Sequence, residues 1–388
     1  MKIVLNAILA KPEGMGGYNV TKNFFLKSLE DRENDWYYFV SKDFDKEMRG
    51  RENGIDERHY FVFPTQPDFR HFFSDQRMIR RIEESIHPDI VYSILAPSYH
   101  KFRTTEVMRC ANAWTVVGGV NKYAMEVTPL RYRLRYLLKA RLTRLQMRNT
   151  KFFITQTEVA KQCILRSVRT SPENVCVISN VLPEKYSIVE VNKTKHEGFN
   201  MIYTTSPSTH KDYMLLPKVA SILAFKYGMS DFKIHVTVPK YCSSLFLSEQ
   251  KKHQVEDYFV NHGILEKEEL IRCYLQSDLG LFPSLLETFS ATLLEYMFFH
   301  LPIVASRLDF NTEVTKDAAV YFEPHNAEDM AEKIYQVYTC RDLQEELIRR
   351  GQNRLNLFNS NADKYSETID FLKLIAHNNH MDNSNGRQ

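Results

Sequence analysis

The chain has 388 residues, 43% hydrophobic and 26% charged, with a formal net charge of +3. That length suits two domains, the composition is that of an ordinary globular protein, and the charge is too small to mark a nucleic-acid binder. The six cysteines (Cys110, Cys163, Cys176, Cys242, Cys273 and Cys340) include no C-x-x-C pair, which argues against a zinc or disulfide framework and suits a reducing, cytoplasmic compartment.

The N-terminal MKIVLNAILA has no small-residue cleavage site after its apolar run and reads as a first strand. Further short apolar runs at 36–40, 60–63, 90–93, 114–117, 152–155 and 175–178 also predict strands, with helical periodicity at 20–29 and 75–86. Several of these runs are continuous rather than alternating, which suits a parallel sheet covered on both faces. Between the first strand and helix, KPEGMGGYNVTKNFFLKSL places Gly14, Gly16 and Gly17. Two readings stand: a backbone that approaches an anion at a helix N-terminus, or a tight turn. The spacing is not G-x-G-x-x-G. Asp43-Phe44-Asp45 forms a D-x-D in a charged segment and reads as solvated surface.

The stretch LRYRLRYLLKARLTRLQMRNTK, from Leu130 to Lys151, carries eight basic residues and no acid, with Leu130, Leu134, Leu137, Leu138, Leu142 and Leu145 at helical spacing. It reads either as a helix that docks on anionic lipid or as a core helix with a solvated basic face. No apolar run approaches the roughly 20 residues needed to span a bilayer.

At residues 183–198, PEKYSIVEVNKTKHEG is polar and aperiodic and reads as a linker. The alternation then restarts, with strands expected at 201–204, 233–238, 279–282, 303–305 and 320–322 and helices at 215–227, 268–275, 292–299 and 327–338. The domains are therefore expected at 1–187 and 198–360, with 378–388 a disordered polar tail.

Two segments of the second domain carry candidate chemistry. In YTTSPSTHKDYMLL, His210 and Lys211 fall on the carboxyl side of a strand, where open α/β sheets bind ligands. A lysine there neutralises phosphate oxygens, or is a solvated surface residue. In LLETFSATLLEYM, Glu287 sits in a loop and Glu295 about one turn into a helix. Carboxylates in so apolar a stretch are costly unless paired. Flanking a helix N-terminus that favours phosphate, they can accept hydrogen bonds from sugar hydroxyls. Otherwise they are one loop and one exposed helix glutamate.

The strings PSLLETFSATLLEYM, HLPIVAS and EVTKDAAVYFEPHNAEDMA resemble the C-terminal signature of the family-4 retaining glycosyltransferases (group 1). Glu287 and Glu295 are similar to that family's E-x7-E pair. Gly16-Gly17, His87-Pro88-Asp89-Ile90-Val91, Ile178-Ser179-Asn180 and His210-Lys211 fall in the family's order. The resemblance implies an α/β GT-B fold: two Rossmann-like doubly wound domains facing a central cleft. Phe358-Asn359-Ser360, Ala362 and Tyr365 resemble the last helix, so that 361–377 completes the first domain.

The resemblance also implies roles. Glu295 would bind the ribose of a UDP- or GDP-sugar and Glu287 the donor sugar. Lys211 would hold the diphosphate with the amides of Ala291 and Thr292. Phe289, Ser290, Ser206 and His210 would line the donor site, and Gly16 and Gly17 would approach it from the first domain. Transfer would retain anomeric configuration without a metal or other cofactor. The acceptor would be a saccharide or lipid-linked saccharide of a bacterial surface polysaccharide, reached at the inner face of the cytoplasmic membrane. Ser206 stands where the family has arginine, Thr288 and Ser290 where it has glycine, and VVGGVNKYAME lacks its His-Asp pair, with Asn121 and Lys122 nearby. Those departures keep two alternatives open: another GT-B enzyme such as an epimerase or phosphorylase, or a sugar-binding protein without catalysis.

Overall fold

A computed structural model of the chain describes residues 1–11, 15–49, 56–64, 69–117, 121–183, 186, 188–194, 196–358 and 360–385. Of the sequence features above, Gly14, Gly118, Gly119, Val120, Asn359 and parts of the 183–198 linker lie outside them. The chain divides into two compact units.

The first unit comprises Met1–Val116, Leu137–Ser179 and Ala362–Gln388. Its strands are β1 (Lys2–Ala7), β2 (Asp35–Ser41), β3 (Tyr60–Phe63), β4 (Ile90–Ser93), β5 (Glu106–Arg109), β6 (Phe152–Thr155) and β7 (Val175–Val177). They form one sheet in the order β3-β2-β1-β4-β5-β6-β7, with every pairing parallel. Up to residue 167 the chain's helices are α1 (Met15–Glu30), α2 (Lys42–Arg49), α3 (Phe69–Ile86), α4 (Ala113–Val116), α5 (Lys122–Val127), α6 (Leu130–Met147) and α7 (Glu158–Ser167), of which α5 and the start of α6 group with the second unit. Both faces of the sheet are covered: Ile3, Leu5 and Tyr92 join one apolar cluster, Val4, Phe39 and Val91 another. That explains why the strands read as continuous apolar runs.

The second unit comprises Val117–Tyr136 and Asn180–Asn361. It holds β8 (Phe199–Tyr203), β9 (Phe232–Val236), β10 (Phe259–Asn261), β11 (Leu279–Phe282), β12 (Ile303–Ser306) and β13 (Val320–Phe322), all parallel, in the order β10-β9-β8-β11-β12-β13. The remaining helices are α8 (Leu216–Phe225), α9 (Lys240–His253), α10 (Lys267–Leu275), α11 (Ala291–Phe298), α12 (Asp309–Thr315), α13 (Ala327–Thr339), α14 (Arg341–Leu355) and α15 (Asn361–Asn385). α15 belongs to the first unit, where the Tyr365 hydroxyl donates to Asp31 at 2.9 Å.

Both sheets reverse their strand order once, between β1 and β4 and between β8 and β11. Open α/β sheets bind ligands at the carboxyl ends of the strands flanking such a reversal. At the second reversal, Gly280 on β11 makes room for the Tyr296 ring of α11. A Cβ at Gly280 would lie 2.5 Å from Tyr296 Cδ2. The ring cannot retreat easily, because its hydroxyl donates to the carbonyls of Ile202 and Leu281, both at 3.1 Å. Gly280→Ala is therefore expected to cost about 1–3 kcal/mol by overpacking, read as a lower Tm.

The structure departs from the sequence reading in several places. Residues 114–117 are not a strand: 113–116 form α4, and the strand is β5, whose Glu106 and Arg109 are buried inside the sheet. Gly16 and Gly17 are not in a loop before α1 but in its first turn. Residues 117–136 group with the second unit rather than the first. The helix expected near 361–377 continues to Asn385, so 378–385 are helical rather than a disordered tail. Its buried face, Ile369, Phe371, Leu372, Ile375 and Ala376, holds the early turns, and later polar residues add a hydrogen bond per residue once nucleated. The D-x-D lies in the first turn of α2, where Asp45 pairs with Arg49 at 2.5 Å.

Candidate active site

The second unit gathers its chemistry at the reversal between β8 and β11. After β8 the chain makes a short 3-10 helix, Thr209–Lys211, and Asp212 turns it into the left-handed region at φ 52°. Three contacts fix this turn from the core side. Tyr203 donates its hydroxyl to the Lys211 carbonyl at 2.7 Å, the Leu285 amide donates to the His210 carbonyl at 2.7 Å, and the Thr209 hydroxyl lies 3.5 Å from that of Thr128. A fourth comes from the loop after β13. There His325, itself at φ 60°, places Nδ1 3.0 and 2.9 Å from the two Asp212 carboxylate oxygens.

The loop after β11 is braced in turn. Ser306 donates to the Ser284 carbonyl at 2.6 Å, and Asn311 holds both the carbonyl and the hydroxyl of Ser306. Asn121 caps α5 through its Oδ1 and donates its Nδ2 to the Leu285 carbonyl at 2.5 Å.

These braces bring Lys211 and Glu287 together, 76 residues apart in sequence, as an ion pair whose side chains are only 19% and 13% exposed. Ser284 donates to the same Glu287 oxygen at 3.0 Å. His210 beside them is pushed down to about 4 by burial, the Glu287 charge opposing, so its imidazole is neutral at pH 7. α11 begins immediately beyond. Its N-cap residue, Ser290, makes no side-chain capping bond, and no acid lies in the first turn. The amides at Ala291 and Thr292 thus start a helix whose positive end suits an anion.

Glu295, one turn further on, is only 8% exposed. Its Oε2 accepts a 2.6 Å hydrogen bond from Tyr274 of α10, whose hydroxyl also lies 3.1 Å from that of Thr204. Burial, with the Glu295 charge second, raises the pKa of Tyr274 and of the buried Tyr186, so both keep their protons. The second carboxylate of the E-x7-E pair is therefore a buried group oriented by tyrosine.

Residues 245–354, a span that contains both glutamates, match the sequence model described as Glycosyl transferases group 1. Over that span the chain is similar to the group 1 glycosyltransferases. Its GT-B fold is shared by solved structures at low identity. HepE of Anabaena, solved with UDP and glucose, has 13% identity over 96% of this chain and 99% of that one, with a TM-score of 0.69. Sucrose-phosphate synthase of Thermosynechococcus elongatus has 12% identity over 97% and 100%, at 0.66. WaaG, a glycosyltransferase involved in lipopolysaccharide biosynthesis, has 15% identity over 97% and 98%, at 0.66. No curated protein sequence matches the chain.

The other expected site residues are placed less uniformly. Ser290, Ala291 and Thr292 lie at the α11 terminus, and Ser206 in the half-buried loop after β8. Phe289 packs edge-on against Phe358, ring centroids 5.9 Å apart, and anchors the segment to the core. Gly16 and Gly17 belong to the first unit. A Cβ at Gly16 would meet nothing within 4 Å, so packing does not require that glycine, whereas one at Gly17 would press on Leu95 at 3.2 Å. Sequence reasoning missed Tyr203, Asp212, Tyr274 and His325. It noted Asn121 without finding its partner. No motif joins these residues, and the contacts that recruit them are made only on folding.

Proposed function

We propose that the enzyme transfers a sugar from a nucleotide-sugar donor, a UDP- or GDP-sugar, with retention of configuration. The observation that carries this reading is the Lys211–Glu287 pair beside the uncapped start of α11 at the strand-order reversal. The diphosphate sits against the α11 amides, and Lys211 is shared between it and Glu287. As the glycosidic bond breaks, charge grows on the leaving phosphate, where preorganised cations and dipoles lower the barrier most. Glu287 orients the donor sugar and Glu295, steered by Tyr274, the ribose. His210 and Ser206 line the same pocket. The leaving phosphate takes the acceptor's proton, so the chemistry calls for no metal. Support for the donor class comes from HepE, solved with UDP and with UDP-glucose.

A nucleoside diphosphate is expected to raise the Tm of the parent enzyme, because a ligand that binds only the native state stabilises it. Glu295→Ala should shrink that rise. No shift with any nucleotide would rule out the donor site.

The acceptor proposed is a saccharide or lipid-linked saccharide of a bacterial surface polysaccharide, a role in keeping with the likeness to WaaG. Among the described residues no helix is long and apolar enough to cross a membrane. α6, however, packs inward through Ala140, Thr143 and Met147, while Leu134 and Leu142 are 65% and 62% exposed, and Leu130, Leu138 and Leu145 are exposed with them. Its leucines are therefore not the core stripe that one sequence reading allowed. Exposed leucines flanked by Arg131, Arg135, Lys139 and Arg141 suit a helix lying in the headgroup region of an anionic bilayer. Leu134→Ser combined with Leu142→Ser is expected to weaken binding to phosphatidylglycerol vesicles by at least about tenfold, read by co-sedimentation. Unchanged binding, or none by the parent enzyme, would remove α6 from this role.

A further inference from the structure

The turn that presents Lys211 is fixed at four points, and three of them are indifferent to pH near neutrality: the Tyr203 hydroxyl, the Leu285 amide and the Thr128 hydroxyl. The fourth is the contact between His325 and Asp212. Asp212 immediately follows Lys211, its side chain is only 3% exposed, and both its carboxylate oxygens are within hydrogen-bond distance of one imidazole nitrogen. Both partners hold left-handed backbone that non-glycine residues seldom adopt. Such conformations persist when surrounding contacts over-determine them, and here the two residues supply each other's contact. We propose that His325 is a positioning residue for the donor site: its protonated imidazole clamps Asp212 and so holds Lys211 where the donor phosphate is bound. This rests on the reading that Lys211 meets the donor diphosphate.

The groups facing His325 set the sign. Asp212, hydrogen-bonded to it, is the main influence and raises its pKa, with Glu126 of α5 acting the same way; burial and Lys218 of α8 oppose. Lys218 is itself paired with Glu328 of α13 at 2.7 Å. Burial raises the Asp212 carboxyl, while His325 opposes that shift. The ionic clamp exists between the titration of Asp212 and that of His325. A histidine whose folded pKa is raised gives its full stabilisation below its unfolded pKa, about 6.5, and loses it as pH climbs through the folded value. Donor affinity should therefore fall on the alkaline side.

The test is calorimetric titration with UDP and GDP at about pH 6, 7.5 and 9, on the parent enzyme, His325→Asn and His325→Lys. Asparagine tolerates left-handed backbone and carries no charge; lysine keeps its charge throughout. The parent Kd is expected to weaken across this range by about fivefold more than that of His325→Asn. His325→Lys should retain its low-pH affinity at about pH 9. A Tm measured without nucleotide at each pH reports that the variants are folded. Equal pH slopes in the parent and His325→Asn overturn the clamp, as does a parent-like slope in His325→Lys. A parent enzyme that binds neither nucleotide at any pH instead overturns the donor-site reading, and the positioning role falls with it.

Discussion

Lys211→Ala is expected to lower kcat/KM for sugar transfer by about 10²–10³-fold, with most of the loss in kcat. Two effects act together. The transition state loses the cation nearest the charge that grows on the leaving phosphate, and that charge is larger than in the bound donor, so kcat falls more than KM rises. The Glu287 carboxylate also loses its ionic partner in a site where it is only 13% exposed, leaving the Ser284 hydroxyl on its Oε1. A buried carboxylate stripped of its cation is strongly destabilising, so part of the loss should appear in Tm. Lys211→Arg separates the two: the charge is kept, Glu287 stays paired, and the defect should be mainly in kcat because a planar fork replaces a point charge. If Lys211→Ala leaves kcat within about threefold of the parent, Lys211 does not stabilise the leaving group.

Glu106→Gln is expected to stabilise the protein at about pH 8 and to change little at about pH 4, an effect read as Tm against pH. Glu106 opens β5 inside the first unit's sheet and is buried; its Oε1 accepts from Ser93, whose hydroxyl accepts from Asn6 at 2.9 Å. Burial pushes this carboxyl up from 4.5 to about 7, against the lowering effect of the Ser93 and Ser98 hydroxyls. A carboxyl raised in the folded state favours folding while it is protonated. That advantage is full below the unfolded value and is lost as pH rises through about 7. Above that pH the cost of the buried carboxylate is on the order of 3 kcal/mol. Glutamine keeps the acceptor for Ser93 without a titrating proton, so its curve should be flat where the parent's declines. Parallel parent and variant curves between about pH 5 and 8 would show that Glu106 titrates normally.

The same residue shows where the sequence was illegible. β5 contains only two apolar residues, Val107 and Met108, between a glutamate and an arginine, so its pattern resembles surface. The apolar run at 114–117 looked more like a strand than β5 did, yet 113–116 is one helical turn. β10 was missed for a related reason: three residues, none fully buried, at the edge of the sheet. Central strands such as β1 and β11 were legible because both their faces are covered and their buried positions are mostly apolar.

For the site, what could be read was local: glutamates at fixed spacing, a lysine just past a strand, a helix start. The pairing of Lys211 with Glu287 follows from the β8–β11 adjacency, which spacing alone does not give. The Asp212–His325 contact spans 113 residues and joins two turns that no shared motif marks. α6 shows the limit of periodicity. Its leucine stripe is compatible with a core or with a surface, and only the packing of Ala140, Thr143 and Met147 decides which face turns inward.

The donor-site reading is tested most directly by incubating the enzyme with α-configured UDP- and GDP-sugars and lipid-linked saccharide acceptors, then reading the new linkage by NMR. Release of the nucleoside diphosphate together with an α-linked product, both lost in Lys211→Ala, is the expected result. A β-linked product would contradict retention. No released nucleotide and no product with any donor, from an enzyme that is folded, would contradict the proposed transfer itself.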